Sequence, residues 1–131
     1  MVYTVLFDTR RRVLFVKFGP ALTQAALEDM QAMAKRLVAA HGPFSFILDL
    51  SAVDRADVTS EFIAALARRG AVLTGQQRIL VAPRDEIFGL SRMFALHQAA
   101  TGDEPTIVRT LQEAYAALGI DQPDWQPVEA S

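Results

Sequence analysis

The chain has no cysteine in 131 residues. That excludes disulfides, thiol catalysis and thiolate-bound metals, and it fits a reducing, cytoplasmic setting. Histidine is nearly absent too: His41 and His97 stand alone, without the paired ligands that a metal site requires. No Gly-x-Ser-x-Gly elbow presents a nucleophilic serine, although a spatial Ser-His-Asp triad leaves no fixed spacing to search for. No apolar run approaches the ~20 residues that span a bilayer. The start, Met1-Val2-Tyr3-Thr4-Val5, lacks the basic end and apolar core of a signal peptide. Basic residues number 13 against 15 acidic ones, a net charge of −2, which is the wrong bias for binding a phosphate backbone. These absences predict a protein that is not an enzyme and that works without metal, cofactor, nucleic acid or membrane span.

What is present is ordinary for one soluble domain: 51% hydrophobic and 21% charged residues. Strands are expected over 2–7 and 13–18, joined by the short link Asp8-Thr9-Arg10-Arg11-Arg12 and therefore antiparallel. Thr23 caps a helix running to about Ala40, with Ala26, Leu27, Met30, Met33, Ala34, Leu37 and Val38 on its inner stripe. Gly42-Pro43 stops it. Residues 44–50 form a nearly uninterrupted apolar run, the pattern of a strand covered on both faces. A second helix is expected from about Val58 to Val72, with Asp57 as N-cap and Phe62, Ile63 and Leu66 inward.

Further strands are expected over 78–82 and 106–109, and a third helix over 86–100. A final helix opens on the capping box Thr110-Leu111-Gln112-Glu113 and closes on Gly119. From Asp121 onward no period remains, so 121–131 reads as a tail; whether Trp125 docks back is left open. The order β-β-α-β-α-β-α-β-α predicts an α/β domain over 1–120, with a mostly parallel sheet and an antiparallel first strand.

The strand end Asp49-Leu50-Ser51-Ala52-Val53, followed by Asp57-Val58-Thr59-Ser60, resembles the STAS superfamily of sulfate-transporter and anti-sigma factor antagonist domains, and its SpoIIAA-like bacterial members. The resemblance covers residues 2–120. It implies a SpoIIAA-like fold and a non-catalytic regulatory module that docks on a protein partner, such as a kinase-like anti-sigma factor. Asp49, Ser51, Asp54 and Asp57 then belong to the interaction loop. The serine phosphorylated in the family falls here on Val58, which has no hydroxyl, so Thr59 and Ser60 become the phosphorylation candidates.

The residues also allow plainer roles. Thr59 and Ser60 help cap a helix, where a phosphate would gain hydrogen bonds but meet Asp57 and Glu61. Asp49, Asp54 and Asp57 could attract a hard cation, yet acids at turns and caps serve local hydrogen bonds. The third helix holds more large apolar residues than one stripe uses. Leu90, Met93, Phe94 and His97 are expected inward, with Ile87 near that side and Phe88 and Leu96 turned elsewhere. Phe88, Met93 and Phe94 are therefore candidates for an apolar pocket or a homodimer face. A small-ligand or lipid-binding protein is the alternative function.

Overall fold

Alternation along successive strands sorts the apolar residues onto two faces of one sheet. The structure is a computed structural model that describes residues 3–69, 73, 75–100 and 102–128. Its elements run β1 (Tyr3–Asp8), β2 (Val13–Phe18), β3 (Ala21–Thr23), α1 (Gln24–His41), β4 (Ser45–Asp49), β5 (Arg55–Asp57), α2 (Ser60–Arg68), β6 (Arg78–Val81), α3 (Asp85–Ala99), β7 (Thr106–Val108), α4 (Leu111–Leu118) and β8 (Gln126–Pro127).

The main sheet has the order β7-β6-β4-β2-β1-β8. Strands β2, β4, β6 and β7 are mutually parallel, whereas β1 is antiparallel to β2 and to β8. The fold is thus α/β with a mostly parallel sheet, and the antiparallel first strand falls where the short 8–12 link places it.

One face carries Leu14, Val16, Phe46, Leu48 and Leu80, which pack with α1, α2 and α3 in a single apolar cluster. The opposite face carries Val13, Phe15, Ile47, Ile79 and Val81, which pack with Ala114, Tyr115 and Leu118 of α4, and with Ile120 and Trp125. Trp125 sits 5.2 Å from Phe15, centroid to centroid, and its indole N–H donates to the Tyr115 hydroxyl at 3.1 Å. The capping box of α4 forms in both directions, and Gly119 takes the left-handed conformation that ends the helix.

Four details depart from the sequence reading. Strands β3, β5 and β8 are too short to leave a period and were not expected. Asp57 does not cap α2: it lies in β5, and the Thr59 side chain takes the cap by accepting from the Phe62 N–H at 3.0 Å. Pairing of β5 with β3 keeps the backbone extended through Asp57 and so delays the helix. α2 ends at Arg68, and its expected continuation over residues 70–72 lies outside the described residues. In α3 the buried positions are Ile87, Ser91, Ala95 and Gln98, whereas His97 is exposed. α3 packs on α2, where Gln98 meets the Ala67 carbonyl, and two of its four buried positions are polar where Leu90, Met93, Phe94 and His97 were expected inward.

The C-terminal segment is held at its start by a buried carboxylate. Asp8, with no exposed surface, accepts from the Arg11 N–H at 3.0 Å, the Arg11 guanidinium at 3.0 Å and the Asp124 N–H at 3.0 Å. Burial alone would raise its pKa, but these donors outweigh that penalty and hold the carboxyl below its ordinary value. Arg12, in the same turn, reaches across to the carbonyls of His41 and Pro43, placing a cation at the carbonyl end of α1.

Candidate functional site

Between α1 and α3, on the three-helix face of the sheet, the side chains do not meet. They leave a cavity of about 110 Å³. Its floor is Phe46, Leu48 and Leu80 of the sheet; Leu27, Met30 and Ala34 of α1 form one wall, and Ile87, Leu90 and Phe94 of α3 the other. Ile63 and Leu66 of α2, with Leu22 and Leu50, close one end.

Polar groups touch the cavity at few points. Gln31, Arg78, Ser91 and Gln98 line it, and Arg78 is the single charged side chain among the described lining residues. The Ser91 hydroxyl donates to the Ile87 carbonyl at 2.8 Å, so it turns back onto its own helix. Gln98 is 1% exposed, and its Nε2 donates to the Ala67 carbonyl at 3.5 Å. The Arg78 guanidinium donates to the main-chain carbonyl of Asp103. Burial pushes its pKa below the ordinary arginine value, and the Asp103 charge opposes that shift.

Of the three aromatic and methionine candidates on α3, Phe94 lines the cavity, but Phe88 and Met93 do not. Phe88 lies under the Arg109 guanidinium, 3.8 Å from its ring centroid, and Arg109 is held there by Asp85 at 2.8 Å. Met93 is half-buried against the same apolar cluster. On the outer face of α3, Leu96 is 69% exposed. A second hollow, about 380 Å³, lies between α1 and the β1–β8 edge beside Phe7, Arg36 and His41. Its walls are mixed, whereas those of the smaller, equally open cavity are almost wholly apolar.

The residues of the predicted interaction loop lie at the carboxyl-end rim of the sheet, just after β4. Asp49 is buried at the strand end, and its carboxylate accepts from the Ser51 N–H at 2.9 Å. Ser51, Asp54, Asp57, Thr59 and Ser60 are exposed. The loop backbone is pinned from below. Asp54 N–H donates to the Pro20 carbonyl at 2.9 Å, and β3 and β5 pair from Ala21↔Arg55 to Thr23↔Asp57. Gly19 is needed for this approach, because a Cβ there would come within 2.8 Å of the Ala52 Cβ.

Asp57 forms a surface ion pair with Arg55 at 3.0 Å, and the Thr59 hydroxyl is engaged as the cap of α2. Asp49, Asp54 and Asp57 are therefore not drawn together. Among the described residues no three His, Cys, Asp or Glu side chains converge on a metal position. Nor, among those residues, does a hydrogen bond join His41 or His97 to a serine or a carboxylate. No described helix is long and apolar enough to cross a membrane.

Arg78 and the polar pair Ser91 and Gln98 were not singled out from the sequence. The one available signal was Arg78 itself, a charge opening the otherwise apolar run Ile79-Leu80-Val81-Ala82. No protein-family model matches the chain, and no curated protein matches it.

Proposed function

We propose that this chain is a non-catalytic regulatory module that takes a small apolar ligand into the space between α1 and α3. The observation that carries the reading is the cavity itself: about 110 Å³, walled by buried leucine, isoleucine, methionine and phenylalanine side chains. Pockets that are mostly apolar with a few placed polar groups are the usual form of small-molecule sites. An apolar cavity of about 150 Å³ stays dry and admits benzene, so this smaller, partly open one suits a single ring or a short chain.

Benzene is the direct probe. Titration should shift the methyl resonances of Leu27, Leu48, Ile63 and Leu66, and Ala34→Leu, which fills the cavity from α1, should abolish the shifts. Unchanged methyl resonances at saturating benzene would end this reading.

A second reading is favoured by the rim loop: a protein partner docks on residues 51–60, whose polar side chains are exposed on a backbone held by the β3–β5 ladder. A surface already ordered before docking loses less entropy on binding. This agrees with the resemblance to anti-sigma factor antagonists, a kinase-like anti-sigma factor in the cytoplasm being the partner implied, and with Thr59 or Ser60 as the modified hydroxyl. The two readings are compatible, since Leu50 at the foot of the loop also lines the cavity.

A further inference from the structure

The two ends of the cavity are chemically unlike. Arg78 and Phe46 are paired at the amino ends of β6 and β4, whereas Leu22 and Leu50 lie beyond the carboxyl ends of β2 and β4. The cavity is therefore a greasy slot with one cation at one end. Among the described residues Arg78 makes no ion pair within 4 Å, and its described hydrogen bond goes to a neutral carbonyl.

A guanidinium has five N–H donors in a planar fork, which matches the two oxygens of a carboxylate. Burial is costly to the Arg78 cation, the Asp103 charge offsets that cost in part, and a bound anion would offset more of it. A single positive charge suits a monoanion. The volume, smaller than the roughly 150 Å³ cavity that admits benzene, limits the apolar part to a few carbons or one small ring.

We infer that the cavity takes a short apolar monocarboxylate, its chain between α1 and α3 and its carboxylate on the Arg78 guanidinium; this rests on the reading of the cavity as a ligand site. Arg78 thereby selects acids over neutral molecules of the same shape, and the apolar walls select chain length.

The test is a calorimetric titration of the native chain with hexanoate and with hexanamide, which share a chain and differ in charge. Hexanoate should bind about tenfold or more tightly. That preference should vanish in Arg78→Met and should survive in part in Arg78→Lys. Equal affinity of the native chain for both probes would overturn the carboxylate while leaving the cavity reading intact. Binding of neither would overturn both. A preference for hexanoate that persists in Arg78→Met would place the anion elsewhere and also overturn the inference. If Arg78→Met does not fold, Arg78→Lys takes its place: an undiminished hexanoate preference there would overturn the inference.

Discussion

The two faces of the sheet use the same strands and end differently. The α4 face is short of helix, yet it is closed: Ala114 has no exposed surface, and Trp125, Tyr115 and Phe15 complete the cover. The opposite face has three helices and a cavity of about 110 Å³. More covering structure has produced less filling: α3 packs on α2, where Gln98 meets the Ala67 carbonyl, while Ile87, Ser91 and Gln98 line the space facing α1. Close packing is the default of protein interiors, and the proposed ligand site is the place where this face departs from it.

The contrast is broken most severely at Asp8, which ties the hairpin to the C-terminal segment on the filled face. Asp8→Ala leaves the Arg11 and Asp124 N–H groups without their buried acceptor and should destabilise the protein by about 2–4 kcal/mol in urea unfolding. Its pH signature has a definite sign. The folded pKa lies below the ordinary carboxylate value, so the contribution is complete above about pH 4 and is lost as pH falls through the lowered value. The other face fails at the opposite end of the scale. Burial, and then the hydrogen bond to Asp29, push the Tyr3 hydroxyl up to about 12. Its contribution is complete below about pH 10 and is lost between there and pH 12. Acid and alkaline unfolding curves of Asp8→Ala and Tyr3→Phe should separate the two faces.

A smaller effect sharpens the same comparison. Enlarging an alanine on the filled face, Ala114→Leu, should cost about 1–3 kcal/mol by overpacking. The same enlargement on the cavity wall, Ala34→Leu, should leave stability unchanged or raise it by up to about 1 kcal/mol, since the added carbons enter empty space. Thermal unfolding of the pair gives the answer directly. Equal destabilisation would mean that the two faces are packed alike.

The strand–helix succession could be read from sequence because period, caps and stops agreed: Thr23, Gly42, the Thr110–Glu113 box and Gly119 all act where their chemistry predicts. β3, β5 and β8 could not, since strands of two or three residues have no alternation to detect. The displacement of the α2 cap from Asp57 to Thr59 follows from the same hidden pairing. The cavity was half legible. Of Phe88, Met93 and Phe94 on α3, expected at a pocket or a dimer face, Phe94 lines it. Phe88 was drawn instead to Arg109, a partner 21 positions away on another element. Arg78 was overlooked because a charge at the start of a strand reads as solvent-facing until register places it beside Phe46.

The most direct measurement is a crystal structure of the native protein under xenon pressure. A xenon atom should lie between Leu27, Leu48, Ile63 and Phe94, with no comparable site on the α4 face. An empty α1–α3 space, its walls drawn together around Leu48, would contradict the claim that this face is built to hold a ligand.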